Sequence, residues 1–225
     1  MLSQAYLETG DNHAALMSGK RLLEIKPNHL VANQVVACAY FRLGQFEKSI
    51  QANEALLKVS PDNISAFENL GVALERMCRL DEAIAAFDRV LEARPNLDSA
   101  KFNKSVSLLL RGDMEEGLRL YESRFNPEQD MVPFYLGDEP FWDGKTEIRG
   151  KHLLIHPEQG LGDTLMCCRF IKYLDDYGAR LTFAVQPPLA SIMKTLVSCA
   201  EIIAVGEDLK GIDLHVPLMS PAHIT

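Results

Sequence analysis

The chain has 225 residues, of which 47% are hydrophobic and 24% charged, and its formal net charge is −8. These values are ordinary for a globular protein with one large domain or two smaller ones. No basic stripe is present, which argues against a nucleic-acid partner, and no apolar run reaches the roughly 18 residues that a membrane-spanning helix needs. The N-terminus lacks a secretory signal pattern, and the five cysteines show no metal-site spacing, so we expect reduced thiols and no metal in a cytoplasmic protein.

A 34-residue period runs through the first part of the chain. Pro27, Pro61 and Pro95 are each 34 residues apart. Three further columns keep this phase over four copies. The turn column consists of Gly10, Gly44, Cys78 and Gly112, and the small-residue column of Ala15, Ser49, Ala83 and Gly117. The column of large apolar residues consists of Tyr6, Tyr40, Leu74 and Leu108. Chance would rarely keep even two columns in phase.

Each copy is predicted to form two amphipathic helices. The turn column is expected where the first helix ends and the chain needs a positive φ, and the small column where the two helices approach closely. Because one helical hairpin cannot bury its apolar face, consecutive copies are expected to stack into a superhelix with a concave groove. The helices predicted most clearly cover residues 31–42 and 46–59, 65–77 and 80–93, and 98–110 and 114–125.

These columns resemble the tetratricopeptide-repeat (TPR) family over residues 1–125. The predicted fold of this part is an α superhelical TPR solenoid of four units. Met1 stands where the first helix has already begun, so we interpret the first unit as incomplete, through either a truncation or an unusual beginning. The resemblance implies a protein or peptide partner in the groove.

Asn69 and Asn103 occupy the same position on the first helix of the third and fourth units, and Val35 fills it in the second. In the TPR domains of protein O-GlcNAc transferases, which these repeats resemble, asparagines at this position face the groove and hold a peptide backbone. The resemblance implies the same role for Asn69 and Asn103, whose amides donate and accept hydrogen bonds. The alternative is that both are exposed helix-surface asparagines.

Residues 126–150 are rich in proline, glycine and aromatic side chains. This composition breaks helices but is too aromatic for a free linker. We predict an ordered connector that packs against the following domain.

Residues 151–225 change to a strand and helix pattern. Strands are predicted at 152–156, 179–186, 201–206 and 212–218, with helices in 164–178 and 187–198. Met166, Phe170, Leu174 and Tyr177 mark one face of the first predicted helix. The alternation implies parallel strand pairing, and its length implies a partial α/β domain.

The loop between the first strand and its helix is the main candidate site. Ligands of α/β sheets bind at the carboxyl ends of strands, and Gly160 and Gly162 would permit close backbone approach to an anion, together with Gln159 and Thr164. The loop lacks the third glycine of a dinucleotide fingerprint and the lysine of a P-loop. The alternative is that Asp163 and Thr164 cap the helix and the glycines only turn the chain.

Two histidines belong to the predicted strands of this domain. His156 ends the first strand beside the glycine loop and is a further candidate for a site role. His215 lies within the fourth strand and is expected to be structural.

The succession of GDMEEGLRLYESRF, FWDG, GKHLLIHPEQGLGDTLMCCRF and DLHVPLMS resembles a bacterial family that joins TPR repeats to a GT-B glycosyltransferase-like domain. That family is related to lipopolysaccharide heptosyltransferases and O-GlcNAc transferases. The resemblance implies that residues 151–225 are the Rossmann-like N-terminal half of a GT-B domain. It also implies that Asp163 is the base that activates the acceptor hydroxyl, although Met166 stands where a glutamine is expected.

The same resemblance implies a nucleotide-sugar donor, held mainly by a second half that we expect after residue 225. The fragment alone is then expected to bind no cofactor and to be inactive, while the full-length protein transfers a sugar to a polypeptide recruited by the repeats. Two alternatives stay open, a non-catalytic TPR scaffold that binds peptides and a dinucleotide-binding enzyme. The missing third glycine disfavours the latter.

Overall fold

The structure is a computed structural model that describes residues 2–125, 137, 139–158, 160–207 and 209–224. It divides into two compact units, Met1–Gln129 and Asp130–Thr225, which we call the repeat unit and the α/β unit. No helix among the described residues is long and apolar enough to cross a membrane.

The repeat unit consists of antiparallel helical hairpins, each packed against the next. Its helices agree with the sequence-based ranges to within one residue, except that the last one ends early and continues as a 3₁₀ turn at Glu122–Phe125. The helices are α1 Leu2–Glu8, α2 Asn12–Ile25, α3 Leu30–Arg42, α4 Phe46–Val59, α5 Ile64–Arg76, α6 Leu80–Ala93, α7 Asp98–Arg111 and α8 Met114–Tyr121.

The turn column has the predicted left-handed conformation in all four copies. Its φ angles are 82° at Gly10, 71° at Gly44, 55° at Cys78 and 101° at Gly112. Cys78 is the one non-glycine residue with positive φ among the described residues. The repeat therefore dictates this backbone turn even where the sequence does not supply glycine.

The small-residue column lies where the two helices of a copy touch, as predicted. The Ser49 hydroxyl on α4 donates to the carbonyl of Ala37 on α3 at 2.9 Å. A Cβ atom added to Gly117 on α8 would lie 2.8 Å from the side chain of Leu109 on α7. A larger side chain at this column would force the hairpin apart.

The α/β unit contains a four-stranded sheet in the order β3-β2-β1-β4, with every neighbouring pair parallel. The predicted parallel pairing is thus confirmed. The strands are β1 His152–His156, β2 Arg180–Val185, β3 Glu201–Ala204 and β4 Leu214–Pro217, and the helices are α9 Leu161–Cys167, α10 Ile171–Leu174, α11 Ala190–Leu196 and α12 Pro221–Ile224.

The first crossover is not the single helix that the pattern predicted. A short 3₁₀ turn at Cys168–Phe170 separates α9 from α10, and a second one at Asp175–Tyr177 follows α10. The changed pitch turns Cys167 and Ile171 toward the sheet and leaves Met166 half exposed, at 50%. The four residues of the predicted helical face are therefore not equally buried, since Leu174 is fully buried whereas Met166 is not.

One hydrophobic core fills the α/β unit. Alternate strand residues such as Leu153 and Ile155 face it, and Trp142 from the preceding segment lies fully buried within it. The Trp142 backbone N–H donates to the carbonyl of His215 at 2.8 Å, and its indole N–H donates to the carbonyl of Thr146 at 2.9 Å. Residues 140–142 thus pair with β4, and Trp142 extends the core. Residues 126–136 and 138 of the predicted connector lie outside the described residues.

Candidate functional site

Asn69 and Asn103 lie at equivalent positions on α5 and α7, and both are half-buried. The Asn69 amide donates a long contact of 3.7 Å to the sulfur of Cys38 on α3. Within the described part of the chain, the Asn103 side chain makes no hydrogen bond. Val35 is buried at 3% exposure, so the asparagine column ends at the third unit. Two amides with weak or no partners can exchange hydrogen bonds with an incoming backbone.

Two cavities lie beside this column. A cavity of about 180 Å³ lies between α3 and α5, and one of about 260 Å³ lies between α1 and α3. Both are lined by Cys38 and Arg42, so they adjoin along the first helices of successive units. The smaller cavity is lined by Ala37, Cys38, Phe41, Arg42, Asn69 and Val72. We call the surface formed by Cys38, Asn69, Val72, Glu75 and Asn103 the groove face.

The second candidate site is the loop that joins β1 to α9 at the carboxyl edge of the sheet. β1 lies between β2 and β4, and the chain order reverses between β1 and β4. In open α/β sheets, this reversal leaves a crevice at the carboxyl ends of the strands, where ligands bind. The loop therefore occupies the edge that the sheet topology makes available.

Gly160 and Gly162 have no conformational or packing need for glycine. Gly160 has a φ of −73°, and neither residue is among the glycines of positive φ. Among the described residues, a Cβ added to Gly162 would meet no atom within 4 Å, and one added to Gly160 would meet the Asp163 carboxylate at 3.6 Å. The chain does not use these glycines to turn sharply, and the space beside them is open to a ligand.

Asp163 and Thr164 close the first turn of α9. Asp163 Oδ2 accepts a hydrogen bond from the Gly160 N–H at 3.1 Å, and Oδ1 accepts none from the described residues. The buried Thr164 hydroxyl donates to Gln186 Oε1, beyond the end of β2, at 3.0 Å. Asp163 thus retains one uncommitted oxygen, whereas Thr164 ties the loop to the next strand. Gln159 lies outside the described residues.

Glu158 is the first residue of the candidate loop, and its hydrogen-bond partner was not predicted. Its Oε1 accepts a hydrogen bond from the Met219 N–H at 2.8 Å, which joins the loop after β1 to the segment after β4. Gln186 was missed, and its position directly after β2 was the available signal. Gln186 belongs to no motif that would have selected it.

His156 and His215 face each other from β1 and β4. His156 Nε2 lies 3.1 Å from His215 Nδ1, and His156 is buried at 2% exposure. Desolvation lowers the pKa of His215, and the charge of Glu139 partly opposes that effect. Because one ring must accept the hydrogen bond from the other, at most one of them carries a charge in this arrangement.

The thiol nearest to the loop is not a nucleophile at neutral pH. Burial raises the pKa of Cys167 to about 11, and the charges of Asp163 and Glu158 add to that effect. A thiolate is the reactive form of cysteine, so Cys167 stays protonated and inert. No group of three or more metal-ligating side chains occurs among the described residues.

Comparisons with known proteins agree with the helical architecture. The tetratricopeptide repeat family model matches residues 37–98 and 79–129. Protein FlbA of Caulobacter vibrioides is 33% identical over 100 residues, which cover 43% of this chain and 17% of FlbA. The matched segment thus spans less than a fifth of that relative's length.

Solved structures of MamA share the fold of the repeat unit. The crystal structure of MamA aligns with a TM-score of 0.52 at 19% identity, covering 54% of this chain and 71% of MamA. MamA 41-end from Desulfovibrio magneticus RS-1 aligns with a TM-score of 0.51 at 20% identity, covering 54% and 68%. The repeat unit is therefore a TPR solenoid.

Proposed function

We propose that the repeat unit binds an extended polypeptide segment along the groove face. The observation that carries this proposal is the pair Asn69 and Asn103, half-buried at one repeated position with weak or absent partners. The adjoining cavities along α1, α3 and α5 offer places for apolar side chains. Pockets for alternate side chains combined with donors and acceptors for a backbone are what recognition of an extended peptide requires.

The test uses the whole chain and a phage-displayed library of linear dodecapeptides. Binders are synthesised with a fluorophore, and their Kd is measured by fluorescence anisotropy. We expect the double variant Asn69→Ala, Asn103→Ala to weaken binding about tenfold or more, since each lost backbone hydrogen bond is worth about 1 kcal/mol.

The matched control is Asn28→Ala with Asn96→Ala, two exposed asparagines in the turns between units. It is expected to leave the Kd unchanged. Failure to select any peptide, or an unchanged Kd in the groove variant, would contradict peptide binding at this surface.

A second function rests on the open glycine loop. We propose that the α/β unit is part of a Rossmann-like, GT-B glycosyltransferase domain that modifies the bound polypeptide, with a nucleotide sugar as donor. Gly160 and Gly162 leave space at the carboxyl edge of the sheet, and Asp163 keeps one oxygen free to accept the proton of an acceptor hydroxyl. Asp163 is the residue we assign as base.

Asp163→Asn separates this role from helix capping. An asparagine carbonyl can still accept the Gly160 N–H, so the fold should persist while the base is lost. In the full-length protein, sugar transfer to the selected peptides should fall at least about 100-fold, the usual contribution of a general base, with the peptide Kd unchanged. Mass spectrometry of the peptides measures the sugar transfer. Equal transfer by the variant would exclude Asp163 as base, and no transfer by the natural protein would leave the scaffold function.

A further inference from the structure

Two acidic side chains of α5 lie on or next to the groove face: Glu75 belongs to it, and Glu68 precedes Asn69 in the sequence. Glu68, Val72 and Glu75 are spaced at i, i+4 and i+7, so they share one face of the helix. Asn69 adjoins this row, and Val72 lines the smaller cavity. The Ser107 hydroxyl on α7 donates to Glu75 Oε2 at 3.3 Å, which places this carboxylate toward the neighbouring unit.

Both carboxylates are half-buried without an ion pair. Burial raises the pKa of Glu68 and of Glu75, and the charges of Arg94 and Arg76 only partly oppose it. No Lys or Arg nitrogen of the described residues lies within 4.0 Å of either group. The folded chain therefore holds two incompletely compensated negative charges.

Three other carboxylates of the repeat unit are paired on its surface. Glu82 binds Arg79 at 2.7 Å, and both Asp88 and Glu116 bind Lys104, at 2.9 and 3.0 Å. These pairs show that the fold supplies cations elsewhere. A half-buried carboxylate without an ion pair does not favour folding, and features that do not favour folding are expected at functional sites.

The cavity beside Asn69 complements these charges. It measures about 180 Å³ and its lining includes the apolar side chains of Ala37, Phe41 and Val72. A cavity of roughly 150 Å³ is enough to hold benzene, so this one can take a single apolar side chain. An apolar residue seated there would bring its neighbours in the peptide next to α5.

We infer that the groove face selects an extended segment in which an apolar side chain lies close to a lysine or arginine. The apolar side chain fills the cavity between α3 and α5, Asn69 holds the peptide backbone, and the cation pairs with Glu75 or Glu68. An acidic segment would instead meet two carboxylates and be repelled. Arg42 keeps its positive charge but lies on the α3 side of the cavity, where one of its N–H groups donates to the Leu7 carbonyl at 2.6 Å, whereas Glu75 is bonded to Ser107 on α7.

This inference rests on the proposed peptide binding, and the same selection distinguishes the two. We expect the selected dodecapeptides to be enriched in lysine and arginine near an apolar residue. Replacing that cation by glutamine should weaken binding about fivefold, the effect of losing one partly exposed ion pair, and replacing it by glutamate should weaken binding further. The weakening should shrink at high salt.

The protein variant is Glu68→Gln with Glu75→Gln, and Glu115→Gln, an exposed carboxylate on α8, is the control. The groove variant should lose the preference for the cationic peptide over its glutamine form. Its free energy of unfolding should not fall, because the substitution removes charges that burial disfavours. A merely structural role for these carboxylates predicts the opposite, a loss of stability.

Three results would overturn the inference. If no peptide is selected, both it and the proposed peptide binding fail. If peptides bind without cationic enrichment, or with acidic enrichment, peptide binding stands and the charge preference is wrong. If the groove variant still prefers the cationic peptide, then Glu68 and Glu75 are not the recognising groups.

Discussion

In the repeat unit the buried apolar residues form separate clusters, one between α2 and α3 and another from α4 to α6. In the α/β unit a single cluster extends from Trp142 to Leu218, and β1 pairs with β4 from far along the chain. Solenoid units contact mainly their sequence neighbours, whereas a parallel sheet joins distant segments. A core substitution should therefore act locally in the repeat unit and throughout the α/β unit.

The largest expected effect is that of Trp142→Ala. The buried indole packs against the Tyr177 ring at 5.2 Å and donates to the Thr146 carbonyl. Its loss should cost about 3–5 kcal/mol and unfold the α/β unit as a whole. Hydrogen exchange followed by mass spectrometry should show exchange throughout β1 to β4 with α2 to α7 still protected. Equal loss of protection in both units would contradict the comparison.

Leu74→Ala tests the same contrast in the repeat unit. Leu74 is 3% exposed in the cluster from α4 to α6, so truncation should cost about 2–4 kcal/mol. The same exchange measurement should show faster exchange in α4, α5 and α6, with little change in α1 and α2. Uniform deprotection of all the helices would mean that the repeat unit unfolds as one cooperative body.

The two units also differ in how far their sequences predicted them. In the repeat unit, the 34-residue period determines where the helices and turns lie, so even the left-handed turn at Cys78 could be predicted from its column. In the α/β unit, strands and parallel pairing were readable, but the break of the first crossover into short helices was not. Tertiary packing turned Cys167 and Ile171 inward instead of Met166, and helical periodicity contains no information about such a change of pitch.

The candidate sites show the same limit. The asparagine column and the glycine loop were found from spacing and position. The hydrogen bonds of Glu158 and Gln186 were not predicted because their partners, Met219 and Thr164, lie far away in sequence. The half-burial of Glu68 and Glu75 depends on neighbouring helices, which a single-helix pattern does not reveal.

The smallest expected effect concerns Cys78. A left-handed conformation costs a side-chain-bearing residue about 1–2 kcal/mol, and glycine gives back part of this through its larger unfolded-state entropy. Cys78→Gly should therefore raise the free energy of unfolding by about 0.5 kcal/mol, measured by urea denaturation. Cys78→Val should lower it, because β-branched side chains tolerate this φ poorly. A Gly variant less stable than the natural chain would contradict the repeat-imposed turn.

Peptide binding on the groove face is tested most directly by ¹H–¹⁵N NMR of asparagine side-chain amides in the whole chain, titrated with a selected cationic peptide. We predict that the amide signals of Asn69 and Asn103 shift. Those of Asn33 and Asn53 should stay, since their amides already donate within the unit, to the Pro27 carbonyl at 3.1 Å and the Ser49 carbonyl at 2.9 Å. Saturable binding that leaves Asn69 and Asn103 unshifted would contradict the account.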